Sequence, residues 1–326
     1  MHGMILFSTV LPILMVSIGT VNGPNTTVKP EGKLVVGYVQ DTQDTINRID
    51  FGKITHLNVA FANPVDDAGN LSVPPNLAEI VGRAHKSGVK VLISIGGGFV
   101  SSDDSARGRY FNLISDGNRS GFIRRLADYV GQNHLDGIDV DLEGPAINKD
   151  YAAFVGDLSS ALKPKGRLVS AALSDGFGGD QVTSEALSHF DLVNVMAYDA
   201  SGPWQPAKPG PHSSFDFAKA CVAYWLGRGV PKSKIVLGVP FYGWGFGDAF
   251  NQGGYTFAQI VAKFPGSEAN DQAGKTIWYN GIPTIRAKAK FVLDQDLAGV
   301  MIWSIDQDAQ GSLSLLSAIN DSLGRK

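Results

Sequence analysis

The stretch LDGIDVDLEGP, residues 135–145, decides how the rest of the chain is read. Four acidic residues, Asp136, Asp139, Asp141 and Glu143, fall within eight positions, separated by Gly, Ile, Val and Leu. Such apolar neighbours belong to a buried strand, where unpaired carboxylates are costly. Alternate residues of a strand share a face. Asp139, Asp141 and Glu143 therefore point one way, and Ile138, Val140 and Leu142 point the other. Alternate Cα atoms lie about 6.6 Å apart, twice the rise per residue, so the three acids form a ladder. Asp136 is out of phase with it and reads as structural.

Similar β-rich runs recur along the chain: KLVVGYV (33–39), ITHLNVAFA (54–62), VKVLISIGG (89–97), RLVSAAL (167–173), DLVNVMAYD (191–199), KIVLGVPFYG (234–243) and LAGVMIWSID (297–306). With 135–143 these make eight candidate strands. Segments of helical spacing lie between most of them, at 76–88, 120–134, 150–166, 214–229 and 281–296, with another at 312–324. Alternation of strand and helix predicts a parallel sheet. Eight such units in about 300 residues predict a single (β/α)8 barrel, an α/β fold. An open doubly wound sheet is the rival, but SIGGG (94–98) lacks the G-x-G-x-x-G spacing and a P-loop lysine. In a barrel the ladder climbs the interior with Glu143 at the C-terminal mouth, where active sites of this fold lie. The Pro- and Gly-rich SGPWQPAKPGPHSS (201–214) falls on the same rim.

The bulk composition excludes several classes. Of 326 residues, 44% are hydrophobic and 18% charged, with a net charge of -3, so no basic field exists to attract nucleic acid or an anionic membrane. The apolar run at the N-terminus, MHGMILFSTVLPILMVSIGTVNG, reads as a cleaved secretory signal over 1–23. A polar lead-in (24–32) and the barrel (33–326) follow. The expected product is a secreted, extracellular monomer with no membrane attachment after cleavage. The single cysteine, Cys221, cannot form an internal disulfide and reads as a small buried residue on a helix. N-x-S/T sequons occur at Asn25, Asn70, Asn118 and Asn320.

Adjacent buried carboxylates cannot all ionise cheaply, so a proton is retained and shared. A carboxylic acid still protonated near neutral pH is what a general acid requires. Calcium or magnesium binding is the alternative use of clustered acids, but the D-x-D-x-D-G loop spacing is absent and the flanking residues are strand formers. Neither a metal nor a cofactor is expected.

The D-x-x-D-x-D-x-E pattern on the fourth strand resembles the signature of glycoside hydrolase family 18, the chitinases and their relatives. VVGYV (35–39), NVAFA (58–62), SIGGG (94–98), VMAYD (195–199), LGVPFYG (237–243) and GVMIWSIDQD (299–308) resemble the family's other strands, so the likeness covers essentially residues 33–323. It implies retaining hydrolysis in which the substrate's own 2-acetamido oxygen attacks the anomeric carbon, an exception to the two-carboxylate scheme. By this resemblance Glu143 is the general acid and then the base. Asp141 bonds the acetamido N–H, and Asp139 shares a proton with Asp141. Tyr198 donates to the acetamido carbonyl, while Asp199 and Met196 line the same pocket. Trp303 forms the apolar floor under the reacting sugar, with ordinary barrel core as the alternative. Tyr38, Phe61 and Tyr242 line the cleft or pack in the core. Trp204 forms an outer subsite or anchors its loop, and Ser94 and Gly97 support Asp139 from below. The resemblance also implies cis peptides at Ala60–Phe61, Glu143–Gly144 and Trp303–Ser304.

Three positions depart from the family pattern. Leu142 and Gly144 stand where aromatics flank the acid, and Trp244 stands where Arg is usual. The connection from 244 to 298 is too short for the large α+β insertion that walls a deep cleft, so an open groove and internal cleavage are expected. The substrate implied is chitin or another N-acetylglucosamine-containing oligosaccharide. The alternatives are an endo-β-N-acetylglucosaminidase acting on the N-glycan core and a non-catalytic chitin-binding lectin.

Overall fold

The computed structural model describes residues 32–40 and 45–325. The expected signal segment and nearly all of the lead-in lie outside the described residues. In chain order the elements are β1 (Leu34–Gln40), β2 (His56–Ala60), α1 (Leu77–Lys86), β3 (Lys90–Gly96), α2 (Gly98–Ser102), α3 (Asp104–Ile114), α4 (Arg119–Gln132) and β4 (Gly137–Asp141). They continue with α5 (Tyr151–Leu162), β5 (Leu168–Leu173), α6 (Ser184–His189), β6 (Leu192–Val195), α7 (Phe215–Gly227) and β7 (Ile235–Pro240). The last are β8 (Tyr242–Gly245), β9 (Tyr255–Thr256), α8 (Phe257–Lys263), β10 (Gln272–Ala273), β11 (Ile277–Trp278), α9 (Ile282–Asp294), β12 (Gly299–Trp303) and α10 (Leu315–Ser322).

Eight strands close a barrel in the order β1-β12-β7-β6-β5-β4-β3-β2, with every pair parallel. Each coincides with a run picked out by its β-rich composition, β1 extending one residue past its run to Gln40. Alternation along the strands produces two cores. Ile138, Val140 and Leu142 are fully buried in the large layer between sheet and helices. Burying a side chain of this size contributes about 1.5–3 kcal/mol. A small second cluster, with Val36, Tyr38, Ala172, Met196, Val236 and Met301, fills the barrel interior. Asp139 and Asp141 face that interior.

The segment between β7 and β12 is more than a loop and one helix. It carries a four-stranded antiparallel sheet of very short strands, β10-β11-β8-β9, and the short helix α8. That small sheet brings Trp244 and Tyr242 to the mouth of the barrel. Among the described residues no helix is long and apolar enough to cross a membrane. Cys221 is fully buried on α7, its thiol 3.6 Å from Asp175 Oδ1. Asn320, one of the sequon residues, is buried on α10, where its amide donates to the carbonyls of Lys53 and Leu316.

Candidate active site

The register of the sheet sets Ser94 of β3, Asp139 of β4 and Ser170 of β5 side by side inside the barrel. Asp139 is completely buried, and donors converge on both its oxygens. Tyr38 Oη (2.7 Å) and Ser94 Oγ (2.8 Å) donate to Oδ2, and Ser170 Oγ (2.6 Å) and Asn194 Nδ2 (3.2 Å) donate to Oδ1. Burial raises its pKa, and these four donors oppose that rise. These four donors fill the side of Asp139 away from Asp141, whose own pKa the charge of Asp139 helps to raise. Ser170 and Asn194 were not anticipated, although both sit at inward-facing positions of β-rich runs.

Asp141, one rung higher, is the opposite case. It is 4% exposed and its Oδ1 has no hydrogen-bond partner among the described residues. Burial first, and then the charges of Glu143 and Asp139, push its pKa well above the usual carboxylate range. A buried carboxyl without a donor keeps its proton or waits for a ligand N–H. Glu143, just beyond the end of β4, has its pKa pushed up to about 7 by burial and, second, by the charge of Asp199. Its backbone is pinned by Ser101 Oγ, which donates to the Glu143 carbonyl at 2.9 Å. Among the described residues no three His, Cys, Asp or Glu side chains come together in a way that could hold a metal ion.

The strand end of β3 presses close to the ladder. Gly96 (φ +106°) and Gly97 (φ +83°) are both left-handed. A Cβ on Gly96 would lie 2.3 Å from the Asp141 carbonyl oxygen, and the Gly97 amide donates to that same oxygen at 2.7 Å. Gly97 thus serves the backbone of Asp141 and the space under the Phe61 ring, not Asp139. Its amide lies past the end of β3, level with the upper rung. Asp136 lies away from the ladder, at the N-terminal end of β4, where it accepts from Val91 N and pairs with His85 Nε2, each at 2.8 Å.

A further carboxylate, Asp199, follows β6 in a left-handed conformation (φ +64°) with its side chain 40% exposed. Tyr242 Oη (2.7 Å), Trp244 Nε1 (2.8 Å) and His212 Nδ1 (3.3 Å) all bond its Oδ1. Burial works to raise its pKa, but these bonds and the charge of His212 hold it below the ordinary value. Tyr198, its neighbour, packs edge to face on Tyr242, and its hydroxyl meets only Met301 Sδ, at 3.9 Å, among the described residues. Met196 joins Tyr38 and Met301 in the inner cluster. His212 and Trp244 belong to this site and were missed as site residues. His212 sits in the Pro- and Gly-rich rim segment, the one signal that could have drawn attention to it.

The floor is aromatic. Trp303 at the end of β12 lies 5.4 Å from Tyr38 and 5.8 Å, stacked, from Phe61, ring centre to ring centre. Trp204 stands on the rim, 55% exposed, its indole over Gly202 and edge to face with Trp244. The peptides Ala60–Phe61 and Trp303–Ser304 are cis. Glu143–Gly144 is not: there the chain turns through the left-handed Gly144 (φ +49°).

The comparisons with known proteins agree with this geometry. The profile of the family described as Glycosyl hydrolases family 18 matches residues 34–308. A chitinase, ChiB, from the chitin utilization locus of Flavobacterium johnsoniae has a similar structure, with 38% identity and a TM-score of 0.84, over 90% of this chain and 94% of that one. A chitinase-like effector of Moniliophthora roreri is 31% identical over 281 residues, 73% of this chain and 67% of the relative. Probable chitinase 10 of Drosophila melanogaster is 28% identical over 345 residues; the match takes in 83% of this chain but spans only 15% of that much longer protein. With a barrel, an acid ladder and a family profile that coincide over the same residues, the chain belongs to glycosyl hydrolase family 18.

Proposed function

We propose that the protein is a secreted chitinase that cleaves β-1,4 linkages between N-acetylglucosamine units internally and with retention. The carrying observation is the contrast within the ladder: Glu143 poised at about 7 above a buried Asp141 whose Oδ1 has no hydrogen-bond partner among the described residues. In the proposed first step Glu143 gives its proton to the leaving glycosidic oxygen. As that C–O bond breaks, the acetamido carbonyl oxygen of the substrate bonds to C1. Asp141, its proton passed to Asp139, accepts the acetamido N–H and as a carboxylate balances the oxazolinium charge, and Tyr198 Oη orients the carbonyl. Water then attacks C1 and passes a proton to Glu143, the C1–acetamido oxygen bond breaks, and the amide is restored. Trp303, stacked on Phe61 and backed by the buried Tyr38, supplies an apolar surface for the sugar face.

Internal cleavage is supported by the rim. Phe99 on the short helix α2, Phe177 and Trp204 on the loops after β5 and β6, and Phe250 between β8 and β9 are each roughly half exposed or more, and the insert between β7 and β12 is small. Secretion is supported by the apolar leader read in the sequence. The test is digestion of chitin hexasaccharide, with products read by mass spectrometry and the first anomer read by proton NMR. Dimers, trimers and tetramers, released as β-anomers, are expected. A hexasaccharide that binds but stays intact would overturn the enzyme reading in favour of a lectin.

A further inference from the structure

Neither neighbour of Glu143 in the chain can offer a surface to a ligand. Leu142 is fully buried in the outer core, and Gly144 has no side chain and a left-handed backbone. The ring beside the acid comes instead from Phe177, on the loop between β5 and α6. A Cβ on Gly144 would fall 2.2 Å from Phe177 Cζ, so the ring lies directly against the Gly144 backbone. The Gly144 amide donates to the Phe177 carbonyl at 3.2 Å. Gly178 approaches so closely that its own Cβ would lie 2.7 Å from Gly144 N. The two loops interlock backbone to backbone, and only glycines at 144 and 178 permit it.

The base of the Phe177 loop is fixed. Arg228 donates to the carbonyls of Gly179, at 3.0 Å, and Val182, and the Trp225 ring packs under Gly179. A phenylalanine held this firmly is nonetheless 48% exposed. One edge packs on Gly144, and the remaining surface faces outwards at the mouth, one residue from the acid.

We propose that Phe177 is a specificity-determining residue, a preorganised platform on which a sugar ring flanking the bond served by Glu143 stacks its axial C–H face. The inference rests on the carbohydrate-cleaving reading above. It assigns to a residue of a different loop the aromatic surface that the chain omits at positions 142 and 144. The ring carries no polar atom, so its gain is burial and dispersion against a neutral face, and the rigid base lowers the ordering cost of binding.

The experiment uses the full chain with Glu143→Gln, titrated calorimetrically with chitin hexasaccharide, alone and combined with Phe177→Leu or Phe177→Trp. Leucine keeps an apolar contact on Gly144 but removes the flat face; tryptophan keeps the face. Phe177→Leu is expected to raise Kd about tenfold and Phe177→Trp to stay within about twofold. With Glu143 intact, Phe177→Leu is expected to lower kcat/KM by the same factor and leave its pH profile in place, which separates loss of a platform from displacement of the acid. Equal Kd for Phe177 and Phe177→Leu, or a shifted pH profile, overturns the inference while the carbohydrate reading stands. No binding to the Glu143→Gln parent overturns the carbohydrate reading, and the platform falls with it.

Discussion

Trp244 Nε1 donates to Asp199 Oδ1 at 2.8 Å. A neutral donor at this position sets the electrostatics of the mouth. Among the described residues no Lys or Arg pairs with Asp139, Asp141, Glu143 or Asp199; the one ion-pair partner is His212, on Asp199. Asp199 is thus held by neutral donors from Tyr242 and Trp244, with His212 behind them, and keeps its negative charge towards Glu143.

Trp244→Phe tests the indole donor. The ring remains against Trp204 and Tyr242, which it meets edge to face at 5.5 and 5.6 Å. The N–H is lost, together with the part of the indole surface that a phenyl ring does not replace. A donor that favoured the anion is gone, so the Asp199 pKa rises. A fall of about tenfold in kcat/KM is expected, the lower end of what a hydrogen bond to a charged group contributes. Steady-state kinetics on chitin oligosaccharides, with a carboxyl NMR titration of Asp199, checks both. Unchanged kinetics would mean that Tyr242 and His212 suffice.

Asp199→Asn tests the field. Glu143 must be protonated to act as acid, and its pKa stands at about 7, raised by burial and then by Asp199. Activity in kcat/KM therefore falls as pH rises through about 7 in the parent. Asparagine keeps an acceptor oxygen for Tyr242 and Trp244 but removes the charge. The Glu143 pKa then drops, and the alkaline limb moves to lower pH. A limb that stays in place would show that burial alone sets the acid.

Much of this site was legible because period-2 alternation is strict: Asp139 and Asp141 had to share a face once 137–141 was a strand, and the backbone of Glu143 just beyond it is still extended. The barrel followed from eight such runs. The helices Gly98–Ser102 and Asp104–Ile114 were not legible, since glycines and charges interrupt their apolar spacing and α3 buries only Tyr110, Leu113 and Ile114. Ser170 and Asn194 became partners of Asp139 only through barrel closure, which fixes register between strands far apart in sequence. His212, Trp244 and Phe177 come from loops and a small inserted sheet, whose course no periodicity encodes. The missing aromatic at Gly144 was visible as a departure, but its replacement by a ring 33 positions later required the fold.

Lys288 makes a prediction about stability. It is fully buried on α9, and its ammonium donates to Ser213 O, Ser213 Oγ and Asn280 Oδ1, each at 2.7 Å. Ser213 follows His212 and in turn donates to the Ala197 carbonyl at 2.6 Å, so this lysine anchors the segment that carries Asp199 and its histidine. Burial without a paired carboxylate pulls its pKa down to about 7. The unfolded chain holds this proton up to about pH 10.4, the ordinary lysine value. Between about 7 and that value the unfolded state binds more protons than the native state, so this group makes stability rise with pH. Lys288→Met removes that slope and also leaves Ser213 and Asn280 without their donor, so it lowers Tm near pH 9, where the parent gains most. Thermal unfolding followed from pH 6.5 to 9.5 checks it. Parallel Tm profiles for parent and variant would show that the buried amine keeps its proton across the whole window.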